Sequence, residues 1–113
     1  MSEIKRYLVG HWKIIWMEQW DQDFVDMDVP GHITIGDDGA CHFQFGLVQG
    51  GFHIEPEDAY FDCDWGGSDE CDEAFGDIHA AIEEGELRGE ISFHCGDESE
   101  FRAVRQEKKK RRA

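Results

Sequence analysis

Residues 74–86, AFGDIHAAIEEGE, decide the fold, because they admit two readings. Ala, Glu and Ile are adequate helix formers, so a short helix fits the composition. A strand fits the pattern: Ile78, Ala80 and Ile82 alternate with Asp77, His79, Ala81 and Glu83. The neighbouring residues favour the strand. Glu84-Gly85-Glu86 reads as a hairpin turn, and beyond it Leu87, Gly89, Ile91, Phe93 and Cys95 alternate with Arg88, Glu90, Ser92 and His94.

The same period of two runs through the rest of the chain. Gly10–Trp20, GHWKIIWMEQW, places Trp12, Ile14, Trp16 and Trp20 on one parity with Glu18 among them, and so reads as one long strand with an apolar face. DQDFVDMDVP, 21–30, is a loop or short helical turn whose Phe24, Val25 and Met27 tuck inward as a lid. His32–Ile35 is a short strand, and Asp37-Asp38-Gly39 is a hairpin turn in which Gly supplies the positive φ. Ala40–Gln49 reads as the next strand, with Cys41, Phe43, Phe45 and Leu47 inward and a corner at Gly50-Gly51. Ala59–Trp65 and Ser99–Gln106 supply two more. The expectation is an all-β antiparallel up-and-down meander of about seven to eight strands. It forms a small closed or half-open barrel; the alternative is a two-sheet sandwich.

Size and charge set the class. At 113 residues, with 40% hydrophobic residues and eight Phe, four Trp and two Tyr, the chain has the material for one packed domain, placed at 1–106. No apolar run is long enough for a membrane span and no signal-peptide pattern opens the chain, so the expected setting is the cytoplasm, where Cys41, Cys63, Cys71 and Cys95 are thiols. Net charge is −15, and residues 107–113, EKKKRRA, hold five of the eleven Lys and Arg, so the body is more acidic still. That excludes ordinary nucleic-acid binding, and the basic run reads as a solvated tail.

Gly10-His11-Trp12 at the start of the first strand, with Arg102 and Arg105 in the last, resembles the calycin pattern of lipocalins and related small barrels. The resemblance implies a calycin-like barrel in which a basic residue of the final strand packs over Trp12. WDQDF at 20–24, FQFGLVQGG at 43–51 and the run from Trp65 to Asp72 are similar to a group of small uncharacterised bacterial proteins. That resemblance implies a bacterial source and no activity.

The residues offer three candidate sites. The first is a small-molecule pocket at the barrel mouth, with Trp12, Trp16 and Trp20 as walls, Glu18 as the orienting polar group, and Arg102 or Arg105 as its counter-charge. The second is FDCDWGGSDECDE, 61–73, which approaches a calcium loop in spacing and offers Asp62, Asp64, Glu70 and Glu73 as oxygen ligands. It lacks a side-chain oxygen at Gly66 and an entering helix, so a solvated acidic loop reads more simply. Zinc is disfavoured, because Cys63 and Cys71 lie eight apart and Cys41 and Cys95 fall on apolar faces. The third is acid/base chemistry by the Trp20–Asp23 run with His32, His42, His53, His79 or His94; no spacing selects a pair, and no catalytic residue or cofactor is assigned. The other partner expectation is a protein–protein module whose acidic surface meets a basic partner, or a homodimer across an edge strand or an aromatic patch.

Overall fold

The computed structural model describes residues 8–55, 59–70, 72–94 and 96–106. They form eight antiparallel strands and one short helix: β1 (Gly10–Met17), α1 (Gln22–Val25), β2 (His32–Ile35), β3 (Ala40–Phe45), β4 (Val48–His53), β5 (Tyr60–Asp69), β6 (Asp72–Glu83), β7 (Glu86–Phe93) and β8 (Glu98–Arg105). Each strand pairs with the next, and β1 pairs with β8, so the sheet is a closed up-and-down barrel rather than a sandwich or a half-open sheet. The basic tail, Cys71 and Cys95 lie outside the described residues.

Residues 74–86 are strand. β6 pairs with β5 from Asp72–Asp69 to Ala81–Tyr60, and its other edge pairs with β7 as far as Glu83–Glu86. Helix propensity is weak here against two flanking ladders. Inward-facing residues fill the barrel: Ile33, Ile35, Phe43, Phe45, Ile78, Leu87, Ile91, Phe101 and Ala103 are all buried. The void between Ile14, Met17, Phe43, Ile78 and Phe101 is about 10 Å³. That is near the lower limit for one water, so the interior is packed core.

Four readings change. First, β1 ends at Met17, and its register against β8 shifts between Ile14 and Trp16. The bulge turns Trp16 outward, to 40% exposed, and Met17 inward. Gln22 Nε2 donates to the Ile14 carbonyl beside the bulge at 3.1 Å. Second, residues 40–49 are not one strand. Gly46-Leu47 makes a tight hairpin between β3 and β4, with Phe45 paired to Val48. Gly46 has φ +59°, and a Cβ there would lie 2.3 Å from the Phe24 ring, so the turn requires glycine twice over. Third, neither glycine pair interrupts the sheet: Gly66-Gly67, read into the acidic loop, and Gly50-Gly51, read as a corner, are strand residues of β5 and β4 paired with each other. Fourth, Met27 is 55% exposed; Val25 is buried and Phe24 half-buried, so these two alone form the lid.

The lid is held by α1. Asp21 caps it, its carboxylate accepting from the Phe24 N–H at 3.1 Å, and the Val25 carbonyl accepts from the Gly46 N–H at 2.9 Å. Burial pushes the Asp26 carboxyl up. Hydrogen bonds from the Gly31 N–H and Gln22, with the Lys13 charge, outweigh that and hold it below its ordinary value.

Candidate functional site

The two ends of the barrel differ in chemistry. At the end where β1 begins and β8 finishes, Trp12 is buried and its Nε1 donates to the Leu8 carbonyl at 2.9 Å. The Arg105 guanidinium lies 4.4 Å above the Trp12 ring, and its Nη1 donates to the Val9 carbonyl. Gly10 has φ +143°, and a Cβ there would fall 2.4 Å from Arg105 Nη1. Glycine therefore lets the arginine reach the ring. Nearby, Glu86 accepts from Arg102 Nε and Nη2 at 2.8 and 3.0 Å and from Arg88 Nε at 3.0 Å. These donors hold the Glu86 carboxyl down at about 2.

The opposite end is the mouth. Here the close of β5, β7 and the loop after β1 meets the start of β4, β6 and β8, and α1 covers one side. The strand ends enclose a concavity of about 390 Å³. Its walls are Trp20, Phe24, Phe75 and Phe93, and its rim carries Asp69, Asp72, Glu73 and Asp97. The aromatic walls continue the core. Trp20 packs against Phe45 at 5.1 Å, Phe24 at 6.1 Å and Phe93 at 6.1 Å between ring centroids, and Phe93 meets buried Trp65 edge-on at 5.2 Å. Trp65 Nε1 donates to the Ser92 carbonyl at 3.1 Å. On the outer side, Phe75 stacks on His94 at 4.7 Å and is 52% exposed. The half-buried walls are thus fixed by neighbours, as a binding surface requires.

The six residues expected around one pocket are dispersed. Trp20 lies in the mouth. Trp12 and Arg105 close the far end, where they pair with each other. Trp16 stands on the outside of the barrel opposite Arg102, which is engaged by Glu86. They border a groove of about 730 Å³ that also holds exposed Tyr60. Glu18 is exposed and extends the β1–β8 ladder: its Oε1 accepts from the Glu100 N–H at 3.2 Å, and its own N–H donates to the Glu100 carbonyl at 2.9 Å. The bulge after Ile14 separates Trp16 from Trp12, because one extra residue reverses the facing of those beyond it.

The four acidic residues read as calcium ligands do not converge. Asp62 and Asp64 point outward from the middle of an extended strand, while Glu70 is in its terminal turn and Glu73 lies on β6. Glu70 lies six positions beyond Asp64 along the chain, about 20 Å in extended strand. Among the described residues no group of three His, Cys, Asp or Glu is placed to hold a metal ion. Cys41 is buried, and burial pushes its thiol up to about 12; burial and the Asp62 and Asp64 charges also raise Cys63, so neither is an activated thiolate.

The histidines separate into small groups. His79 Nε2 lies 3.9 Å from Glu90 Oε1 on the outer face of β6 and β7. A second group includes His11, absent from the sequence-derived set. His11 stacks on His32 at 5.2 Å, and His32 meets His42 edge-on at 5.6 Å, across β1, β2 and β3. Burial, then the charges of His32 and His42, lower the His11 pKa. The signal is present in the sequence: all three fall on the outward parity of consecutive strands.

No family model matches the chain, no curated protein matches it, and no solved structure matches it. No helix among the described residues is long and apolar enough to cross a membrane.

Proposed function

We propose that this protein is a small-molecule-binding barrel whose site is the mouth. The concavity of about 390 Å³ walled by Trp20, Phe24, Phe75 and Phe93 carries the reading. Its volume lies within the range of ordinary ligand pockets, about 300–1,000 Å³. The packed interior leaves the ligand no deeper place, with a void of only about 10 Å³. The Arg105 guanidinium over Trp12 supports a calycin-like kinship for the barrel, and the mouth of a β-barrel is a common place for a ligand. The free thiols of Cys41 and Cys63 are compatible with a cytoplasmic setting.

The test is a fragment library screened by thermal shift and tryptophan fluorescence. Hits stabilise the native barrel, and Phe75→Ala, at an exposed wall position, removes them while leaving the melting temperature of the free protein nearly unchanged. Hits that survive Phe75→Ala but are lost in Trp16→Ala would move the site to the outer groove and refute the mouth.

A second reading rests on that outer groove. A closed barrel offers no edge strand for pairing, so self-association would use the exposed Trp16 and Tyr60 beside Arg88 and Arg102. A monomeric mass at high concentration by light scattering would eliminate it.

A further inference from the structure

The mouth combines two chemistries that rarely meet without a reason: aromatic faces inside and carboxylates at the lip. Asp69 and Asp72 face each other as the last pair of the β5–β6 hairpin, Glu73 is next along β6, and Asp97 comes from the β7–β8 turn. None of the four lysines and arginines among the described residues lines the concavity. Lys13 bridges to Asp26 on the barrel wall, Arg88 and Arg102 clasp Glu86, and Arg105 covers Trp12 at the far end. The lysines and arginines are gathered away from the mouth, and the one imidazole among its described lining residues, His94, stacks on one face of Phe75.

Resting on the mouth as the binding site, we propose that its ligand is an organic cation: an alkylammonium group with an apolar body. The apolar body lies against Trp20, Phe24 and Phe93, which the core holds in place. The ammonium meets the exposed ring of Phe75 and the carboxylates of the rim. Aromatic faces carry negative potential at their centres and attract such a group, most strongly where water is partly excluded. The rim adds long-range attraction, and the net charge of −15 draws cations toward the whole molecule. An anionic ligand of the same shape meets repulsion at every approach. A bare metal ion gains nothing from the aromatic walls, and no group of metal ligands is assembled there among the described residues. The ammonium can belong to a free amine or to a lysine side chain on a peptide, which share this chemistry.

The experiment compares three probes that share a short alkyl chain, hexyltrimethylammonium, hexanol and hexanoate, by NMR titration of the full chain, reading the Trp20 indole and the amides of residues 72–75, 93, 94, 96 and 97. The cation is expected to bind about tenfold tighter than hexanol, with hexanoate weakest, the size of a partly desolvated cation–π contact plus rim charge. Asp72→Asn combined with Asp97→Asn, both exposed positions, removes most of that preference, bringing the cation down toward hexanol. An Nα-acetyl-lysine amide arm assigns the source: binding equal to the trimethylammonium probe points to a peptide side chain, weaker binding to a free amine. Equal affinity for hexanol and the cation overturns the cationic class and leaves the mouth as a binding site. Shifts confined to the Trp16 face, or absent for all three probes, overturn both.

Discussion

Two adjacent glycines in β5 give opposite expectations for one change. A Cβ on Gly66 meets nothing within 4 Å, whereas a Cβ on Gly67 would lie 1.9 Å from the Gln49 carbonyl oxygen and 2.5 Å from the Gly50 Cα. Neither residue has positive φ, so alanine is admissible to the backbone at both. A carbon normally stands about 3.3 Å from a carbonyl oxygen, so Gly67→Ala must move β4 away from β5 by about 1.4 Å. The obstacle is backbone, which has no rotamer to swing. The β4–β5 ladder runs only from Val48–Asp69 to Gly51–Gly66, so the displacement is felt along its whole length. Overpacking of this kind costs about 3 kcal/mol, the upper part of the usual range. Gly66→Ala instead limits the unfolded chain and stabilises by about 0.5 kcal/mol. For a barrel of this size, about 4 °C per kcal/mol turns the difference into a drop of roughly 10 °C for Gly67→Ala and a small rise for Gly66→Ala. Thermal melts by circular dichroism, checked by urea midpoints, measure both. If the two variants melt within about 2 °C of each other, β4 and β5 do not approach as closely as argued.

Two further outcomes test the far end of the barrel. Arg105→Ala removes the cation over Trp12 and the hydrogen bond to Val9, and is expected to cost about 1–2 kcal/mol in urea unfolding; Arg105→Lys restores only part, because an ammonium cannot lie flat on the ring. The Glu86 clamp makes a pH prediction. Its folded value, about 2, lies below the ordinary 4.5, so its contribution is fully present above 4.5 and disappears as pH falls toward 2. The melting-temperature gap between the wild type and Glu86→Gln should therefore close over that window; a gap independent of pH contradicts the clamp.

The barrel is legible in the sequence wherever alternation is clean and a turn is marked by its residues. Asp37–Gly39 and Glu84–Glu86 carry that information locally, so β2–β3 and β6–β7 can be read directly. The bulge in β1 is not legible, because Ile14, Ile15, Trp16 and Met17 are apolar on both parities and satisfy either register. The turn at Gly46 is hidden by Leu47 and Val48, which prolong the apolar run of β3; the Phe24 ring, far away in sequence, selects it. Gly66-Gly67 resembles a turn by composition, yet the near approach of Gln49 and Gly50 makes glycine a packing requirement. The mouth is the least legible feature. It collects residues from the loop after β1, from α1, from the ends of four strands and from the β7–β8 turn, so no local motif announces it. Trp20 reaches it through the lid, not as the continuation of β1 that its parity suggests.

Seven of the eight seams in this barrel join strands that are neighbours in sequence, and short connections bring most of them together. The eighth, β1 with β8, joins residues far apart in sequence, from Met17 with Phe101 to Trp12 with Arg105. Its loop-closure entropy is the largest in the molecule, so it is the natural last step of folding. The clasp of Arg105 on Trp12, the Arg105 bond to Val9 and the bond from the Gln106 N–H to the His11 carbonyl are all on that seam. They act as a latch on the final closure. Loss of the latch should therefore speed unfolding far more than it slows folding, and the barrel should open first along this line.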